Sequence, residues 1–214
     1  MDRTGKYECA MTTYTHQPDG TNGIDAPILS DLATTNYNTR ETLDVFGAAT
    51  RYSSLWKNDF SLGTNPPPSN AVVSAATLYL YNNQADAAST DVVIDLYPVL
   101  RNWVESQCTW NVYATASNWG TAGCENTSTD RESTSIGTAT LTNGEATGTE
   151  HAISLDTAKV QAWIQGIQAN YGVIIRLTSG TGGFFLSSSD TTVNSLYRPK
   201  LIVEWSLPAS GFFF

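Results

Sequence analysis

Residues 72–81, Val-Val-Ser-Ala-Ala-Thr-Leu-Tyr-Leu-Tyr, decide the fold. Over the second half of this stretch Ala76, Leu78 and Leu80 alternate with Thr77, Tyr79 and Tyr81. In an extended chain successive side chains leave on opposite faces, so this alternation describes a strand with one buried and one partly wet face. The pattern returns three times. Val92, Ile94 and Leu96 oppose Val93, Asp95 and Tyr97; Val173, Ile175 and Leu177 oppose Ile174, Arg176 and Thr178; Leu201, Val203 and Trp205 oppose Lys200, Ile202 and Glu204. Weaker strand patterns cover residues 26–32, 42–48, 53–62, 135–142, 150–155 and 183–188. Turn clusters separate them: Asp19-Gly20, Asn65-Pro66-Pro67-Pro68, Asn82-Asn83, Asn143-Gly144 and residues 180–183. About ten short strands with irregular loops predict an all-β fold, an antiparallel two-sheet β-sandwich of jelly-roll type. One short helix interrupts the pattern. Asp156 stands as its N-cap, Gly166 as its stop, and Val160, Trp163, Ile164 and Ile167 as its core-facing stripe.

The chain has 214 residues, enough for one sizeable core and, for an all-β unit, a single domain. Charged residues make up 14% and the formal net charge is −9. That balance argues against nucleic acid as a partner, because phosphate binding needs a basic stripe. It also disfavours a polyanionic glycan, unless the few Lys and Arg residues gather on one face. No apolar run reaches membrane-spanning length, and residues 1–16 lack the apolar region of a signal peptide, so the sequence reads as a soluble chain made in the cytoplasm with no membrane partner.

Three cysteines, Cys9, Cys108 and Cys124, match neither a zinc cluster nor a disulfide scaffold. Cys108 and Cys124 either pair across a loop or stay two small buried thiols, and the thiols are the preferred reading. His16 and His151 sit in no nucleophile–base motif; each reads as a solvated or edge-strand histidine. Glu105 and Asp130 are the nearest approach to a glycosidase carboxylate pair, yet Glu105 reads better as an acceptor anchoring a turn. No catalytic residue is assigned, and the chain is expected not to be an enzyme. Asp19, Asn22 and Asp25 crowd hard oxygen donors into seven residues, a set suited to a structural Ca²⁺ and equally to Asx turns; no other cofactor is indicated.

Residues 103–124 hold three tryptophans, a tyrosine, two cysteines and a glutamate. Trp103 and Trp110 read as core. Tyr113 and Trp119 lie on a long loop and are either sugar-stacking rings or pins that hold the loop over one sheet. With Lys57 and Arg131 they form the candidate glycan-binding set. At the other end, Phe212, Phe213 and Phe214 would form a sticky patch if left in water, so they are candidate assembly contacts.

The order of the phrases along the chain carries a resemblance. HQPDGTNGIDAPI (16–28) is followed by TTNYNTRETLDVFG (34–47), SSLWKNDFSL (53–62), VVSAATLYLY (72–81) and NWVESQCTWNVY (102–113). SNWGTAGC (117–124), VQAWIQGIQANYGVIIRL (160–177) and SSSDTTVNSLYRPKLIVEW (187–205) complete the series. This succession resembles the DNRLRE-domain family, which includes disaggregatase-related domains and an alginate-binding group of carbohydrate-binding modules. The resemblance implies a non-catalytic β-jelly roll, found beside polysaccharide-degrading enzymes, in cell-surface proteins and in phage particles. The family's charged "R…FDLS" phrase appears here as residues 56–60, Trp-Lys-Asn-Asp-Phe, so the alginate-binding contacts do not transfer by position. The expected organisation is an extension over 1–14, the jelly-roll domain over 15–206 and an apolar tail over 207–214. The leading functional expectation is a structural or adhesion subunit on a virion surface, of decoration or fibre type, homo-oligomeric and docked on other assembly proteins. The alternative is an extracellular carbohydrate-binding module of a secreted polysaccharide-active or cell-surface protein, with polysaccharide as its partner.

Overall fold

The computed structural model describes residues 10–47, 50–85 and 87–208. Thirteen strands in this part are β1 (Thr12–His16), β2 (Asp25–Leu29), β3 (Thr42–Phe46), β4 (Tyr52–Trp56), β5 (Val72–Tyr81), β6 (Val92–Pro98), β7 (Val112–Ala114), β8 (Ser117–Asn118), β9 (Gly137–Leu141), β10 (Glu150–Ser154), β11 (Val173–Ser179), β12 (Gly183–Ser187) and β13 (Lys200–Ser206). A four-stranded sheet runs β1-β13-β5-β10. A seven-stranded sheet runs β12-β3-β4-β11-β6-β9, with β2 also paired to β4, and β7-β8 form a separate small hairpin. All pairings are antiparallel. The two large sheets make the expected β-sandwich.

Alternation explains the core. Leu78 and Leu80 of β5, Ile94 and Leu96 of β6, Val173 and Ile175 of β11 and Leu201 and Val203 of β13 all enter one cluster between the sheets. Full burial of side chains of this size contributes about 1.5–3 kcal/mol each. The intervening residues leave the sheets on their outer faces. β1 and β10 are the edges of the smaller sheet, and each carries a histidine. Neither is solvated. His16 Nδ1 is 2.8 Å from Asn58 Oδ1, and the 6% exposed side chain of His151 has its Nε2 2.9 Å from Glu145.

The helix α1 spans Thr157–Ile164, and the Asp156 carboxylate accepts from Lys159 N at 2.9 Å as an N-cap. Val160 is buried, and Trp163 and Ile164 pack on the inter-sheet core. Ile167 departs from the expected stripe: it lies beyond the last turn and is 73% exposed. The boundary expected at residues 14/15 falls inside β1, whose Tyr14 is fully buried in the core. Residues 1–9 and the tail phenylalanines Phe212, Phe213 and Phe214 lie outside the described residues.

A candidate glycan-binding face

The outer face of the seven-stranded sheet is divided in two. On one half Ala26 and Ile28 of β2, Leu55 of β4 and Ile174 of β11 point outward and are fully buried. The segment of residues 99–131 covers them with Val99, Trp103, Cys108, Trp119 and Cys124, forming a second apolar cluster. Two carboxylates fasten this cover. Glu105 Oε1 accepts from Asp25 N at 2.8 Å and ties the segment to β2. Asp130, fully buried, accepts from Gly120 N at 2.7 Å, Thr121 N at 2.9 Å and Asn126 N at 3.2 Å, closing the turn that carries Trp119 and Cys124.

This geometry decides among the residues singled out in the sequence. Trp119 is 4% exposed and donates from Nε1 to Thr109 O at 3.0 Å, so it offers no ring face to a sugar; it is a pin of the cover. Tyr113 packs at 5.5 Å from Trp119, with Arg101 over its ring at 5.5 Å. Lys57 belongs to another cleft, beside Ile24, Asn58 and Phe60, with its ammonium 5.9 Å from the Trp103 ring. Arg131 lies 4.4 Å over the ring of Tyr97, on the outer face itself. The four do not converge on an exposed aromatic platform.

The calcium set also separates. Asp19 is exposed and its Oδ1 accepts from Thr21 N and Asn22 N at 3.0 and 3.3 Å, an Asx turn that holds its carboxyl below the usual value. Asn22 is exposed in the same turn. Asp25 is 1% exposed and turns its Oδ2 to Ser189 N at 2.9 Å, leaving Oδ1 with no hydrogen-bond partner. Burial outweighs the Ser189 contacts, and with the Glu105 and Asp190 carboxylates it pushes the Asp25 carboxyl up to about 7. No group of three or more His, Cys, Asp or Glu among the described residues is arranged to hold a metal ion.

Cys108 and Cys124 are free thiols in the second cluster, with Sγ facing Glu105 O and Asp130 O respectively, each at 3.5 Å. Burial pushes Cys108 up to about 12 and raises Cys124 as well, so neither is a reactive thiolate.

Beyond the cover the outer face is open and polar. Thr178 of β11, Thr138 and Thr140 of β9, and Arg51 beside β4 are exposed. A groove of about 360 Å³ runs there, lined by Phe46, Arg51, Ser53, Arg176, Thr178 and Ser179 among others. The Arg51 backbone is fixed by a reciprocal pair: Arg51 N donates to Ser30 Oγ at 2.9 Å, and Ser30 N donates to Arg51 O at 3.0 Å. Arg176 stands across from Asp95 in the β11–β6 register. Glu125 Oε1 receives both Arg51 Nη1 at 3.0 Å and Arg176 Nη2 at 2.5 Å. Asp95 Oδ2 accepts from Thr178 Oγ1 at 2.8 Å and from Tyr97 OH at 3.4 Å. The Nε atoms of Arg131 and Arg176 are buried without a hydrogen-bond partner. Burial first, and then the nearby Arg176, depress the Arg131 guanidinium below its usual value. Arg51 and Arg176 thus line the groove and share Glu125, with Asp95 across from Arg176, while Arg131, only 8% exposed, stacks on Tyr97 beside them.

A family model for the disaggregatase-related repeat domain matches residues 25–203, from the start of β2 into β13. The chain belongs to the disaggregatase-related repeat family. The match takes in the whole seven-stranded sheet, the covering segment and the open arginine groove, and all of the four-stranded sheet except its edge strand β1 and the last residues of β13. A search of curated proteins found no match. No helix among the described residues is long and apolar enough to cross a membrane.

Sequence reasoning placed Arg131 among the site candidates but neither Arg51 nor Arg176, because these arginines are distant in the chain. Arg51, Arg131 and Arg176 come from a loop, the end of the covering segment and the middle of β11. The outward placement of Asp95, Tyr97, Arg176 and Thr178 was already legible in the alternation of β6 and β11; their common neighbourhood was not.

Proposed function

We propose that this disaggregatase-related repeat domain is a non-catalytic carbohydrate-binding domain that holds an acidic polysaccharide on the open half of its outer face. The observation that carries this reading is the pairing of Arg51 and Arg176 in one groove of an acidic chain, otherwise lined by hydroxyls and an aromatic ring. Each part has a chemical counterpart in a uronate-bearing glycan. Guanidinium groups present paired donors that match a carboxylate. Ser53, Thr178 and Ser179 exchange hydrogen bonds with sugar hydroxyls, and Phe46 offers apolar surface to ring C–H groups. The resemblance to alginate-binding modules supports the same class of ligand. The carboxylates closest to a glycosidase pair, Glu105 and Asp130, are occupied in holding backbone N–H groups, which supports a binding role over a hydrolytic one. A domain of this kind acts outside the cell, beside a polysaccharide-active enzyme or on a surface. The expectation of a virion subunit drew in part on Phe212, Phe213 and Phe214, which lie outside the described residues.

Electrophoresis through gels containing alginate or a neutral glucan tests the reading. The wild-type chain is expected to be retarded by alginate and not by the glucan. The double variant Arg51→Ala/Arg176→Ala is expected to lose on the order of tenfold in affinity while melting as a folded protein. Equal mobility of the wild type in all gels would contradict the reading.

A further inference from the structure

The arginine groove already contains a carboxylate. Glu125 places a single oxygen, Oε1, against both Arg51 and Arg176, where a ligand carboxylate would sit. It does not arrive there by chance of a long side chain on a loose loop. Gly123 and Cys124, immediately before it, hold φ values of +82° and +59°, and a Cβ on Gly123 would come within 2.5 Å of the Trp110 ring. The left-handed conformation at Cys124 is unfavourable for a residue with a side chain. Burial of the Cys124 thiol and the Asp130 clamp on Asn126 keep the turn in that shape. The side chain of Glu125 is 18% exposed and that of Arg176 14%, whereas Arg51 is 57% exposed, so one jaw of the seat is fixed and the other stands in solvent, free to swing.

We propose that Glu125 is an internal stand-in for the ligand carboxylate, a gate that sets how strongly and how selectively the groove takes anions. An incoming acidic sugar must displace Glu125 from Arg51, or share Arg176 with it. A lone small anion gains too little to do so. A polymer that presents carboxylates in series also engages the groove hydroxyls and the apolar surface of Phe46, and so outcompetes the tethered glutamate by several simultaneous contacts. Glu125 thereby discriminates against isolated carboxylates and keeps the arginine pair neutralised when no polymer is present. The proposal rests on the reading of the groove as a glycan site and adds the residue that tunes it.

Calorimetric titration of the full chain with an alginate oligosaccharide, and separately with monomeric glucuronate, tests the gate. Glu125→Gln keeps the size of the side chain and removes the competing charge. It is expected to bind the oligosaccharide about 3–10-fold more tightly than wild type and to gain measurable affinity for the monomer. The double variant Glu125→Gln/Arg176→Ala is expected to lose that gain. Melting curves of every variant establish that it is folded. If wild type binds the oligosaccharide and folded Glu125→Gln binds equally or more weakly, the gate is wrong while the glycan site stands. If neither binds, the glycan reading and the gate fall together.

Discussion

On β11, Ile174 and Arg176 leave the sheet on the same side, two residues apart, and meet opposite surroundings. Ile174 is fully buried beneath the segment of residues 99–131, together with Leu55, Ile28 and Ala26. Arg176 faces an open groove with Ser53, Thr178 and Ser179. The strands, the pairing and the alternation are common to both halves. What differs is the outward residue: apolar outward residues recruit a cover of tryptophans and thiols, and polar ones leave the sheet open to solvent. The stretch with the most aromatic rings is therefore the cover, and the proposed binding surface lies beside it.

The largest effect that would break this comparison is at Trp119. If it pins the cover, Trp119→Ala costs about 3–5 kcal/mol of stability, read from denaturant unfolding. A variant that melts like wild type but no longer holds alginate would make the ring a ligand contact and reverse the assignment of the two halves. Asp130→Ala comes next. It strands the N–H groups of Gly120, Thr121 and Asn126, each worth about 1–3 kcal/mol where burial keeps water from replacing the acceptor. Because Asp130 also holds the turn bearing Glu125 and precedes Arg131, the variant is expected to lose glycan affinity as well as stability.

The junction of cover and β2 gives a pH test. Asp25 titrates near 7 in the native state and in the ordinary carboxyl range when unfolded. Well below pH 4, both states carry the proton. As pH rises from about 4 toward about 7 the native state keeps a proton that the unfolded chain has released, so this group makes stability fall with rising pH. Asp25→Asn removes that dependence. Its melting temperature is expected to drop less than that of wild type between pH 5 and pH 8, and parallel curves would refute the assignment. The smallest stability effect belongs to the open half. Arg51→Ala removes a largely exposed ion pair and is expected to change stability by about 0–1 kcal/mol while weakening alginate binding. A large loss of stability there would mean that Arg51 fastens the fold.

Much of the frame was legible in the sequence. The alternation in residues 76–81, 92–97 and 173–178 placed the core and even the outward rows correctly, because the period of a strand allows only two faces. The N-cap at Asp156 was legible because a short polar side chain satisfies a nearby backbone donor; Glu105 does accept a backbone N–H, as expected, but that of Asp25 on β2, where it ties the covering segment to the sheet instead of anchoring a local turn. The site was less accessible. Trp119 and Tyr113 stand in a polar stretch of sequence, yet the segment folds back on its own rings, and no local pattern reports that closure. Ile167 fitted helical spacing but falls after the helix has ended at Ile164. Arg51, Arg131 and Arg176 meet only through the register of β4, β6 and β11 and the return of residues 125–131 across them.

The most direct test of the account asks which face a ligand touches. Backbone amide shifts followed by NMR during titration with an alginate oligosaccharide report this residue by residue. Perturbations centred on Ser53, Arg176, Thr178 and Thr138, fading toward Trp119 and absent from Thr77 and Ile202 on the opposite sheet, are the predicted result. Shifts centred on Thr77, Tyr79 and Ile202, or on the covering segment around Tyr113 and Trp119, would contradict it.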